Sequence, residues 1–298
     1  MTAGRRSMLL ATAFVSLWAL VEIVAAGVLS RYSPYQVVWT RYAVHLALML
    51  LVWGWHDSSL LWRTRRPIYQ FARSMLMVGM PASWIFAMKA GVAPATLLAI
   101  FWISPLLILG FARILMGEIA PRPLWLAAAI GWGGAILTIG RGPMPESPLL
   151  LLLPLAMAGS FSLYVVMTRS LRNETLTANL FYTACGVMLF LTPFMPSVWV
   201  QPAGKDLLIM TAVGVFGFLA LLALDRMAVA APVSQAAPLV YLQIPATVAI
   251  LVSLGHEPPG WRVTFGLLLI AGVALYTWSG EDRIVVRDSS LPAPASTH

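Results

Sequence analysis

The sequence predicts an all-α fold: ten transmembrane helices forming two inverted-topology five-helix repeats. Three observations predict it: an apolar composition, ten apolar runs of bilayer length, and an echo between the two halves of the chain. Of 298 residues, 60% are hydrophobic and 10% charged, and the mean hydropathy is +0.84. A soluble domain carries roughly 25% charged residues. So few charges cannot cover a water-soluble surface, and the chain reads as a polytopic membrane protein.

A run of about 20 apolar residues crosses a bilayer as a helix. The first run, 8–30, is long and lacks a clear small-residue cleavage site after a short core, so it reads as a retained helix. The second, 35–55, follows a short turn centred near residue 32. The break "HDSSLLWRTRRP" separates it from the third, 71–89. The fourth, 94–116, opens on Pro94 and closes at "GEIAPRP"; the fifth, 122–140, ends at "GRGPMPES". The sixth, 148–168, and the seventh, 175–195, meet at "RSLRNET". The eighth is 207–225, the ninth, 232–254, opens on Pro232, and "GHEPPGW" leads into the tenth, 263–280. The tail "EDRIVVRDSSLPAPASTH" is polar and proline-containing and is expected to be disordered outside the membrane.

The net charge is +8. Because the basic residues flank apolar runs, topology explains them better than nucleic acid does. Ten spans put both termini on one side. Placing that side in the cytoplasm gives 13 basic residues in inside segments, among them Arg63, Arg73, Arg169, Arg172 and Arg283. Five lie outside: Arg31, Lys89, Arg141, Lys205 and Arg262. The expected location is a bacterial inner membrane with cytoplasmic termini. One cysteine, Cys185, forms no intrachain disulfide, and His45, His56, His256 and His298 show no ligand spacing, so no metal or cofactor is expected. The absence of a GxxxxGK[ST] loop argues against direct ATP drive, and the absence of HExxH and GxSxG against an enzyme.

The halves echo each other at an offset near 138. Pro94 in "VAPAT" matches Pro232 in "AAPVS", Arg31 matches Arg169, and Gly134 matches Gly272. "LMGE" ending at Glu118 matches "LGHE" ending at Glu257 at offset 139. Five spans per half is odd, so the second half enters the membrane from the opposite side. That inverted repeat belongs to transporters with a midplane site between halves. The division is residues 1–142, 143–282 and a tail, 283–298.

Glu22 in "SLWALVEIVAAG" and Arg41 lie 10 and 9 residues from the first turn, so both stand about 14–15 Å from it, near mid-bilayer. A charge there costs roughly 2.5–3.5 kcal/mol on insertion scales, which argues against a lipid-facing position. Either the two pair to fix helix packing, or they line a cavity that binds a polar substrate or a proton. His45 lies one turn beyond Arg41, and Trp18 one turn before Glu22. At offset 138, Glu22, Arg41 and His45 map to Ser160, Asn179 and Thr183. A cavity built from both sets would be electrically lopsided and suit a ligand bearing both an amine or cation and a carboxylate. Trp18 and Tyr182 are the aromatic cavity candidates. Gln243 stands beside Pro238 and Pro245, where a freed carbonyl and a polar side chain can touch substrate.

The stretches "APATLLAIFWISPLLILGFARILMGE" with "GWGGAILTIG", and "APVSQAAPLVYLQIPATVAILVSLGHE" with "GLLLIAGVALYTW", resemble the EamA family of the drug/metabolite transporter superfamily. The resemblance covers roughly residues 8–280; the second half departs from it by placing His256 directly before Glu257. It implies a secondary transporter working by alternating access, with spans three, four, eight and nine around the cavity and five and ten at the periphery. It favours export of a small polar or zwitterionic metabolite such as an amino acid. The alternative is import of a vitamin- or nucleoside-like aromatic metabolite. The expected partners are that substrate and the bilayer, with no nucleic acid; proton coupling and an uncoupled facilitator are both permitted, as are a monomer and a homodimer.

Overall fold

The computed structural model describes residues 2–54, 59–140, 142–280 and 286–288. Trp55, His56, Arg141, Arg283 and most of the tail fall outside these residues. Among the described residues ten helices are long and apolar enough to cross a membrane. Spans 1 to 5 are Ala3–Leu29, Pro34–Trp53, Pro67–Lys89, Pro94–Met116 and Arg122–Ile139. Spans 6 to 10 are Pro148–Ser170, Leu176–Val198, Gly204–Ala230, Val233–Ser253 and Trp261–Ser279.

Several helices outrun their apolar cores. Span 1 starts at Ala3, capped by the Thr2 hydroxyl, which accepts from the Arg5 amide. Span 8 takes in Asp206 in its first turn, where a carboxylate meets the positive end of the helix. Asp206 receives two hydrogen bonds from Arg31, of 2.7 and 3.2 Å, and one from the Tyr32 hydroxyl. Those contacts raise the Arg31 pKa above its ordinary value, the hydrogen bond to Asp206 first.

Packing is organised by pairs. Span 1 packs most heavily on span 8, and span 3 on span 6. Span 2 touches spans 7 and 8, and span 7 touches spans 2 and 3. Spans 5 and 10 pack on each other at one edge. Their contact is made by Gly134 against Gly266: a Cβ on either would come within 2.8 Å of the other's carbonyl oxygen. The sequence echo paired Gly134 with Gly272, but Gly272 meets nothing within 4 Å. Small residues let transmembrane backbones approach. Gly266→Leu is therefore expected to cost about 1–3 kcal/mol by overpacking. Gly272→Leu should stay within about 0.5 kcal/mol. Thermal unfolding of both variants in detergent checks the contrast.

Prolines break two spans. Span 4 consists of a helix, Pro94–Phe101, a turn at Trp102, and a second helix, Ser104–Phe111. Pro105 gives no amide to the preceding turn; nearby carbonyls are served by side chains, Ala99 by the Trp132 indole at 2.9 Å and Ser104 by Ser162 at 3.0 Å. Span 9 runs as a tight 3-10 segment, Ala237–Leu242, before its main helix, Gln243–Ser253. Buried Tyr241 in that segment donates to the Ala128 carbonyl, and its ring fills the space a Cβ on Gly131 would need. Within the tail, the strand Arg287–Asp288 pairs antiparallel with Glu118–Ile119. Gly117, at φ 70°, turns the chain out of span 4 and leaves that short edge open.

Candidate functional site

A cavity of about 380 Å³ lies between spans 1, 2, 3, 4, 6 and 9. Its lining residues sit at mid-span or nearer the ends that carry Arg31 and Lys89: Trp18, Glu22 and Leu29 on span 1, Arg41 on span 2, Trp84 on span 3. The cavity therefore runs from the middle of the bundle toward the face opposite the termini. Span 8 lines none of it, although the family resemblance implied that it would. It is drawn against spans 1 and 2 instead, with Gly214 against Val44. The peripheral position expected for spans 5 and 10 agrees with the lining, to which neither contributes.

Four expected site residues meet here: Trp18, Glu22, Arg41 and Gln243. Glu22 stands about two helical turns before the end of span 1 at Leu29 and is exposed, because it faces the cavity. Its Oε2 accepts a 2.9 Å hydrogen bond from the Gln243 amide. Gln243 reaches it because the 3-10 segment ends there and starts a fresh helix turn. Arg41 makes no ion pair with Glu22 among the described residues. Its stem lies on Gly217, where a Cβ would come 3.0 Å from Cδ. Its guanidinium rests 5.2 Å from the Trp18 ring centre and 4.6 Å from that of Tyr42. The packing-pair expectation for Glu22 and Arg41 thus gives way to a carboxylate and a guanidinium separately presented to one cavity. Trp84, Phe101 and Trp102 add aromatic wall, and Met77, Met80 and Met157 add adaptable apolar wall. Pro81 also lines the cavity; the sequence reading passed over it.

Three expected residues lie elsewhere. His45 is buried outside the lining, its ring 4.9 Å from Phe218 and 5.9 Å from Tyr42. Tyr182 donates to the Trp62 carbonyl at 3.2 Å, beside the linker helix Ser59–Trp62. Asn179 is buried among spans 3, 7 and 8. The neutral set read from the repeat does not line the cavity. Ser160 faces Gly79 of span 3, where it would meet a Cβ at 2.9 Å. Thr183 accepts from Arg73. An offset in sequence does not fix the direction a side chain points.

A second polar cluster was not foreseen. Arg73 is completely buried, although its place near the end of an apolar run had it counted as a flanking charge. It donates to Thr168 at 2.8 Å, to the Asn179 carbonyl at 2.6 Å, to Thr183 at 3.0 Å and to Gln70 at 3.1 Å. It also sits 4.9 Å from the Tyr164 ring centre. Asn179 links this cluster to buried Asp225, donating at 3.0 Å. Charge at both 73 and 225 inside apolar helices was the available signal.

No family profile matches the chain. An S-adenosylmethionine uptake transporter of Rickettsia conorii is 22% identical over 279 residues, covering 91% of this chain and 94% of the relative. A protein of the same name from Rickettsia felis aligns with the same identity and coverage. Protein RarD of Streptomyces exfoliatus is 26% identical over 273 residues, covering 88% of this chain and 84% of the relative. A solved crystal structure superposes with a TM-score of 0.80 at 21% identity, over 93% of this chain and 97% of the other, and so shares the fold. The relatives align nearly end to end with a multi-pass chain of ten spans, and four of them are named as transporters. The chain is thus similar over most of its length to proteins named as S-adenosylmethionine uptake transporters and RarD, in keeping with its resemblance to the EamA family.

Proposed function

We propose that this chain is an uptake carrier for a nucleoside-like metabolite bearing an amino-acid head group, with S-adenosylmethionine as the first candidate. The observation that carries the reading is the split presentation of Glu22 and Arg41 in one aromatic-walled cavity. A zwitterionic head needs a carboxylate partner, which Arg41 offers, and an ammonium or sulfonium partner, which Glu22 offers. A planar base needs an aromatic face, which Trp18, Trp84 and Trp102 offer. The names of the four Rickettsia relatives favour import over the export expected from the family resemblance.

In this reading the termini are cytoplasmic, the membrane is a bacterial inner membrane, and the cavity opens outward, ready to load. The division into two inverted halves, 1–142 and 143–282, is part of the proposal. Its support is the exchange of packing partners: span 1 on span 8 is matched by span 6 on span 3, and spans 5 and 10 meet each other. The test is uptake of radiolabelled S-adenosylmethionine into proteoliposomes holding the purified chain. Saturable uptake, competed by S-adenosylhomocysteine more strongly than by methionine, is expected. Accumulation equal to that of protein-free liposomes overturns the substrate assignment.

A further inference from the structure

The end of the bundle that carries the termini is closed by a buried clasp. Glu118, at the end of span 4, is fully buried. It accepts from the Val233 amide at 3.3 Å, the Ser234 amide at 3.0 Å and the Ser234 hydroxyl at 2.5 Å, all at the start of span 9. Arg169, at the end of span 6, places Nε 3.4 Å from Glu118. The same guanidinium donates to the Ala228 and Val229 carbonyls at the end of span 8. One acid, one arginine and one hydroxyl thus tie spans 4 and 6 to the turn between spans 8 and 9.

Every part of that clasp has a counterpart at the opposite face. Shifting by 138 residues, Arg169 becomes Arg31, Ser234 becomes Thr96, and Ala228 and Val229 become Ala90 and Gly91. Glu118 becomes Glu257 at offset 139. The turns that present the two acids are alike: Gly117 and Gly255 are both left-handed, at φ 70° and 91°. The counterparts are unassembled. Glu257 is exposed and makes no hydrogen bond or ion pair among the described residues. Arg31 is engaged by Asp206, and the Thr96 hydroxyl by the Pro143 carbonyl. Span 4 begins at Pro94 with no side-chain cap. These groups stand at the face toward which the cavity runs.

We propose that Glu257, Arg31 and Thr96 form a second clasp, which shuts the cavity mouth over the start of span 4 when the Glu118–Arg169–Ser234 clasp opens. The inference rests on the alternating-access reading above. In the closed state the Glu257 carboxylate accepts from the first amides of span 4 and from Thr96. Arg31 leaves Asp206 and bridges Glu257 to the carbonyls that end span 3. The two acids alternate: one clasp is made while the other is apart. Glu118 and Glu257 are positioning residues in this scheme, and neither touches substrate.

The test is crosslinking in native membranes, in a Cys185→Ala background. Ala95→Cys and Pro258→Cys flank the second clasp and are bridged by a short methanethiosulfonate reagent. The bridged fraction is expected to rise about tenfold when Ser234→Ala or Glu118→Gln weakens the first clasp, since one charge-assisted hydrogen bond is worth about that factor in population. Adding Glu257→Gln should remove the rise. Ser234→Ala serves alone if Glu118→Gln does not accumulate. A rise that survives Glu257→Gln overturns the proposal. So does a pair that stays unbridged in every background while Ile119→Cys with Val233→Cys, across the first clasp, is bridged. S-adenosylmethionine flux of the unmodified chain separates the two readings. Flux without the rise removes the clasp alone; the rise without flux removes the substrate and leaves the clasp.

Discussion

Glu22→Gln is expected to lower S-adenosylmethionine uptake at least about thirtyfold, the equivalent of about 2 kcal/mol of lost attraction for a bound cation. Thermal stability should hardly change. The amide keeps the volume of Glu22, and its oxygen can still accept from Gln243. No ion pair to Arg41 is lost, because none is formed. The side chain already faces the cavity, so burial imposes no new penalty. Flux measured against pH separates two roles. If Glu22 binds the substrate cation, the variant is slow at every pH. If flux persists but loses its pH dependence, Glu22 carries the proton. A variant that transports like the parent at all pH values removes Glu22 from the mechanism.

Arg73→Met is expected to destabilise the fold by about 3–5 kcal/mol, the range for removing one member of a buried charged network. The methionine fills much of the arginine's volume but makes none of its bonds. Thr168, Thr183, Gln70 and the Asn179 carbonyl lose a donor together. Asp225 is left as a buried carboxylate whose Oδ2 has no hydrogen-bond partner among the described residues. Adding Asp225→Asn should recover at least about 1 kcal/mol, because the uncompensated charge is then gone. Unfolding of the single and double variants in detergent gives the coupling directly. Independent, additive effects would mean that the two charges do not sense each other through Asn179.

The span count was legible because apolar runs of bilayer length are the strongest signal a membrane chain carries. Glu22, Arg41 and Trp18 were legible for a related reason: a charge at mid-bilayer is costly, and helical spacing puts Trp18 on the face of Glu22. His45 is one turn from Arg41 yet packs against Phe218, since a helix turn does not say which neighbour fills the groove. Asn179 lies near the start of span 7, in a polar cluster separate from the cavity. Arg73 and Asp225 were hidden because charges near the ends of apolar runs look like interface residues. Only tertiary packing shows that spans 3 and 8 carry them inward. The same holds for Glu118, whose repeat with Glu257 was visible in sequence while its burial against span 9 was not.

The central claim is that the aromatic cavity holding Glu22 and Arg41 is the substrate site. Its most direct test is an experimental structure of the chain saturated with S-adenosylmethionine. The account predicts the ligand in the cavity, its base against Trp18 or Trp102, its carboxylate on Arg41 and its cationic end toward Glu22. Ligand bound elsewhere, with this cavity empty under conditions where uptake is saturated, would contradict it.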